Sequence, residues 1–186
     1  PLQSVSIALS RAARQSDFPA RLQLVAAMNP CPCGWLGDRS GRCRCTAEQV
    51  RNYRARVSGP LLDRIDLHVE VPGVPQAELL SPHAGDGESS AAVRARVDTA
   101  RTRQMQRAGV ANAPLDTKGI DATCALAADN RRLLELAMQK LALSARAAHR
   151  ILKVARTIAD LEGSDVIGGS HLSAAIQYRC LDRGAA

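Results

Sequence analysis

The sequence predicts a mixed chain, predominantly helical, in which a short strand-rich N-terminal piece of α/β character precedes an all-α module. Three observations carry this expectation. Apolar residues alternate or run together at 5–9, 22–28 and 65–71, patterns suited to strands. Pro72, Gly73, Pro75, Pro82, Gly85 and Gly87 then crowd one stretch and mark a linker. Beyond it, capping residues and helical spacing recur to the C-terminus.

Residues 5–9 read as a strand and 22–28 as a central strand, with a basic, hairpin-like loop at 10–16 between them. Residues 47–56 have helical composition with Thr46 as the cap and Glu48 near the start, and Ser58-Gly59-Pro60 breaks that helix. Residues 61–64 form a short turn of helix or loop before the strand at 65–71, which Pro72-Gly73 ends.

In the second part, Ser89 or Ser90 caps a helix to about Arg107, and 109–119 is a loop. Short helices follow at 121–128 and 130–141. Ser144 starts a longer one to Leu161, stopped by Gly163, and Ser170 caps a last helix to about Leu181. The expected division is residues 1–76, a linker at 77–89, and a helical domain at 90–186.

A chain of 186 residues with 46% hydrophobic residues has enough material for a core, but aromatics are only 2%, so Ala, Leu, Val and Ile must fill it. The formal charge of +7 points to a polyanionic partner such as nucleic acid or nucleotide phosphate. Arg outnumbers Lys 22 to 3, a bias that genome composition alone produces, so charge does not decide the matter. No apolar run approaches the roughly 18 residues that span a bilayer, and the N-terminus lacks a signal pattern. A cytoplasmic, membrane-independent protein is expected, in which six cysteines serve as thiols or metal ligands rather than a disulfide framework.

Four local patterns have chemical potential, each with a plainer alternative. Asn29 ends the apolar run at 22–28, so its neutral amide stands at the carboxyl edge of a sheet, where α/β folds bind ligands; Asn29-Pro30 is also simply a turn. Cys31, Cys33, Cys43 and Cys45 offer four thiolates to one structural Zn2+, with Gly34, Gly37 and Gly41 letting the loop fold back, or they are reduced cysteines in a glycine-rich loop. Arg64 presents a planar donor fork suited to phosphate, or pairs with Asp63 or Asp66. Arg146 falls in the first turn after Ser144, where backbone amides attract anions, and His149, Arg150, Lys153 and Arg156 continue a basic or merely solvated face. Cys124 and Cys180 read as packing residues in helices.

Taken together, Phe18-Pro19-Ala20-Arg21, Val25-Ala26-Ala27-Met28-Asn29-Pro30-Cys31-Pro32-Cys33-Gly34, Ser58-Gly59-Pro60-Leu61-Leu62-Asp63-Arg64-Ile65-Asp66, Gly87-Glu88-Ser89-Ser90 and Ser144-Ala145-Arg146 resemble the C-terminal half of the YifB/ComM proteins, magnesium-chelatase-like AAA+ ATPases. The resemblance covers essentially the whole chain. It implies the remnant of an AAA+ α/β core followed by a helical lid, with Asn29 as sensor 1, Arg64 as arginine finger and Arg146 as sensor 2. Residues 4–21 would be the hairpin ahead of sensor 1, making Arg11 and Arg14 candidate DNA contacts.

One departure shapes the expectation. No Gly-x-x-x-x-Gly-Lys-Ser/Thr occurs here, and no apolar strand ends in paired acids, so this chain reads as a fragment beginning after Walker B and inactive by itself. The family implies ATP and Mg2+ in the intact subunit, and a homo-oligomeric ring, often hexameric, with ATP between subunits. It also implies DNA translocation or branch migration in natural transformation. Two rival classes remain: a zinc-bearing nucleic-acid-binding module without ATPase function, and the motor subunit of a magnesium chelatase.

Overall fold

The structure, a computed structural model, describes residues 6–11, 14–19, 22–38, 40–74 and 87–179. The chain divides into two compact units, Pro1–Ile65 and Asp66–Ala186. An α/β remnant precedes a helical module, and helix predominates, as the sequence predicts.

In the first unit, β1 (Ser6–Arg11) and β2 (Arg14–Pro19) form an antiparallel hairpin in which Ile7 faces Phe18, Leu9 faces Ser16 and Arg11 faces Arg14. This corrects the expected loop at 10–16, because the strands continue to Arg11 and resume at Arg14. A two-residue connection lets β1 pair with the polar segment that immediately follows it, a local pairing favoured over a distant one.

The expected central strand at 22–28 forms no regular secondary structure and pairs with no strand among the described residues. Its side chains are exposed, Val25 at 85%. An apolar run becomes a buried strand only between neighbours, and β1 already has its partner in β2. After it, the chain makes a cysteine-rich turn and enters α1 (Ala47–Arg54).

Thr46 starts α1 with a capping box: its hydroxyl accepts from the Gln49 amide at 3.2 Å, and the Gln49 side chain accepts from the Thr46 amide at 2.9 Å. The helix ends at Arg54, slightly earlier than composition indicates, and none of its residues is buried. A single turn, α2 (Gly59–Leu62), follows with Pro60 in its first turn, where the missing N–H costs nothing.

The second unit opens with 66–74, expected as part of a strand. It bends at Asp66 and forms no strand, with no strand partner among the described residues; the His68 amide instead donates to the Tyr178 carbonyl at 2.7 Å, and Asp66 pairs with Arg150. The helices are α3 (Ser90–Ala108), α4 (Thr117–Thr123), α5 (Ala128–Lys140), α6 (Ala145–Leu161) and α7 (Gly169–Gln177). α6 is the central element, packed against α3, α4 and α7, while α5 packs on α7.

Most of the α6 surface toward its neighbours is small. Ala147, Ala148, Ile151, Ala155 and Ala159 are buried there, and the alanines let the α7 residues Leu172, Ala175 and Ile176 approach closely. Ile120, Cys124, Leu134, Ile151, Leu172 and Ile176 belong to one continuous core, which confirms Cys124 as a packing residue. Cys180 lies outside the described residues.

Several boundaries move for identifiable reasons. Asp116 caps α4 by accepting from the Gly119 amide at 2.8 Å, so the expected loop at 109–119 gives way to helix at Thr117. α5 begins at Ala128 without a side-chain cap. α7 starts at Gly169 rather than after Ser170, because His171 Nδ1 accepts from the Gly168 amide at 2.9 Å and serves the role usually given to Glu or Gln.

Candidate functional site

The four cysteines of the first unit converge. Pro32-Cys33-Gly34 turns the chain after Asn29, with the Gly34 amide donating to the Cys31 carbonyl at 3.0 Å. Gly34 takes a φ of +81°, which a side chain would strain. A second glycine-bearing turn at Gly41 returns the chain, and Arg42 lays its guanidinium over the Trp35 ring at 4.5 Å, closing one half of the loop on the other.

All four sulfurs lie within 4.8 Å of one another. Cys31 is 3.4 Å from Cys33 and 3.8 Å from Cys43, and Cys33 is 3.7 Å from Cys43. All four are free thiols, with Cys31 completely buried.

The loop treats the four unequally. The Cys33 thiol accepts from the Trp35 amide and is further relieved by the Cys31 and Cys45 thiols, which pulls it down to about 6. The Cys45 thiol has the Cys33 amide in its favour, but the Cys33 sulfur, burial and the Cys31 thiol together push it up to about 12. The thiolate form is therefore favoured at Cys33 and disfavoured at Cys45.

Asn29 is exposed just before the first cysteine turn, with its amide beside it: a β-carbon at Gly34 would stand 3.8 Å from Asn29 Cγ and Nδ2. Arg64 is half-buried just after α2, and its Nη1 donates to the Pro60 carbonyl at 2.6 Å. This bond fixes the direction of the arginine by the turn that precedes it. Asp66, an expected alternative partner of Arg64, is bound by Arg150. Arg11 and Arg14 are the last backbone pair of the hairpin, bracketing its connection.

In the second unit, Arg146 is exposed in the first turn of α6, whose cap Ser144 accepts from the Ala147 amide at 3.1 Å. The basic face expected beyond it is not solvated. Arg150 pairs with Asp66, Lys153 donates to the Ala113 carbonyl at 2.9 Å, and Arg156 is buried with its Nη1 on the Asp165 carbonyl at 2.8 Å. These side chains serve the internal structure because α6 has neighbours on most sides, which leaves Arg146 as the more accessible cation.

Asn29 and Arg64 in the first unit and Arg146 in the second each carry N–H donors. Such donors suit the oxygens of a nucleotide phosphate. Sequence patterns also had no view of the Trp35–Arg42 contact; its signal was an aromatic and a cation flanking the two cysteine pairs. No described helix is long and apolar enough to cross a membrane.

The fold is a small α/β remnant followed by a helical lid. Residues 1–79 match the family described as magnesium chelatase, subunit ChlI, and residues 87–179 match magnesium chelatase, subunit ChlI C-terminal. The chain belongs to this magnesium-chelatase-like family.

It is 48% identical over 184 residues to the uncharacterized protein YifB of Salmonella typhimurium, covering 98% of this chain and 36% of that protein. Its identity to the competence protein ComM of Haemophilus influenzae is 49% over 185 residues, covering 98% of this chain and 35% of ComM. The uncharacterized Rv2897c of Mycobacterium tuberculosis is 37% identical over 188 residues, with coverage of 96% and 35%. The chain thus spans about a third of the length of these curated relatives.

Proposed function

We propose that this chain forms the sensor and lid portion of a magnesium-chelatase-like AAA+ ATPase that couples ATP hydrolysis to translocation or branch migration on DNA. Residues 1–76 complete the nucleotide-binding core, 77–89 link it to the lid, and 90–186 form the lid. Asn29 acts as sensor 1, orienting an attacking water through its uncharged amide. Arg64 acts as the arginine finger toward ATP on a neighbouring subunit of a homo-oligomeric, hexameric ring. Arg146 acts as sensor 2, and the intact subunit supplies the P-loop and the ligands of Mg2+.

The observation that carries this reading is the turn at Arg64. A guanidinium tied to the Pro60 carbonyl is held in a fixed direction by the turn before it, and its planar donor fork matches the geometry of phosphoryl oxygens during transfer. A DNA substrate is supported by the charge of +7, by the paired Arg11 and Arg14 at the hairpin end, and by the competence role in the name of one relative.

In the intact subunit, Arg64→Ala should leave ATP binding nearly unchanged and slow DNA-stimulated hydrolysis by about 10³-fold or more. Mixed with wild type, the variant should poison the assembly, since its neighbours lose their finger. Normal hydrolysis by the variant would remove the assignment. The family description favours a second reading, a chelatase motor; stimulation by a partner subunit and porphyrin, rather than by DNA, would establish that one.

A further inference from the structure

We infer that Cys31, Cys33, Cys43 and Cys45 bind one zinc ion as a tetrathiolate site. The inference is independent of the motor reading. Its basis is the spacing of the sulfurs. Four thiolates at about 2.3 Å from a central tetrahedral zinc are separated by about 3.8 Å. Three of the separations here, 3.4, 3.7 and 3.8 Å, lie at or just below that value, and no pair exceeds 4.8 Å.

Other uses of four thiols fit this arrangement less well. The cysteines are not joined as disulfides. Sulfurs this close enclose a single ion, whereas a polynuclear iron–sulfur cluster needs its ligands spread around several metals. A soft all-sulfur donor set selects zinc over magnesium or calcium, which take oxygen.

The surrounding chain is organised for a closed, structural site. Two Cys-x-Cys pairs supply the ligands from opposite sides of the loop, Gly34 and Gly41 adopt the positive φ that the reversals require, and the Trp35–Arg42 contact holds the loop shut. All four coordination positions are taken by protein, which leaves no opening for a catalytic water. Such an ion contributes folding energy: it fixes the Gly34 turn beneath Asn29 and, through Cys45-Thr46, the start of α1.

The test is metal analysis of the intact subunit, purified without chelator. About one equivalent of zinc per chain is expected, as for a structural site. Titrating the folded protein with an organomercurial should release that zinc as four thiols react, a readout that needs no variant and no ATP hydrolysis. Replacement by Co2+ should give the intense visible bands of tetrahedral tetrathiolate cobalt. The paired substitution Cys43→Ser with Cys45→Ser should lose the metal. Less than about a tenth of an equivalent in wild type, iron in place of zinc, or zinc retained by the paired variant would each overturn the inference.

Discussion

Arg107 on α3 grips Asp160 on α6 with both ends of its guanidinium, Nη1 to Oδ1 at 2.6 Å and Nη2 to Oδ2 at 2.7 Å. Asp160 is completely buried, and Asn112 donates to it at 2.8 Å while Arg156 stands 3.1 Å away. The carboxylate therefore joins two helices and a loop. Removing its charge leaves two arginines facing an amide, and breaking a buried pair in this way costs about 3 kcal/mol or more. Asp160→Asn should lower the stability of the intact subunit by that amount in urea unfolding; an unchanged midpoint would show the pair to be dispensable.

The same residue gives stability a defined acid limb. Burial raises the Asp160 carboxyl, but hydrogen bonds from Arg107 and Asn112 and the charge of Arg156 outweigh it, so the group is held below its ordinary value. Its folded pKa is depressed. The contribution is complete above the unfolded value of about 4 and is lost as pH falls through the folded one. Unfolding free energy measured between pH 7 and pH 3 should fall at the acid end in wild type, and less steeply in Asp160→Asn.

Ala142 carries strain that glycine would relieve. The Leu143 amide bonds back to the Met138 carbonyl at 3.0 Å, closing α5 with a Schellman motif that puts Ala142 at φ +48°. A non-glycine residue there loses roughly 1 kcal/mol, partly offset by the larger chain entropy that glycine gives the unfolded state. Ala142→Gly should stabilise by about 0.5 kcal/mol, visible as a higher thermal midpoint.

Where a cap or stop is built from adjacent residues, the sequence exposes it. Thr46, Ser144, Gly109 and Gly163 mark helix ends through local chemistry, and each occupies its expected place. Strand pairing is not local. Residues 22–28 and 65–71 have strand composition, but composition does not supply the neighbours that turn an extended run into a sheet. The four cysteines were legible as a donor set, whereas their convergence depends on turns at Gly34 and Gly41 and on the Trp35–Arg42 contact. The inward position of Arg156 had a sequence signal in its i,i+4 relation to Asp160, but charge patterning alone reads such residues as surface.

Ser144 caps α6 and Arg146 lies in its first turn. The Ser144 hydroxyl caps the helix through the Ala147 amide at 3.1 Å, so Ser144→Ala should cost about 1 kcal/mol of stability. Arg146 is exposed, so Arg146→Ala should alter stability by no more than about 0.5 kcal/mol. If Arg146 binds nucleotide phosphate as sensor 2, the same variant should weaken ATP binding by the intact subunit about tenfold, the scale of a lost hydrogen bond to a charged group. Thermal unfolding and nucleotide titration of both variants make the comparison. Weakened ATP binding without destabilisation assigns Arg146 to the nucleotide; destabilisation with unchanged binding assigns it to the fold.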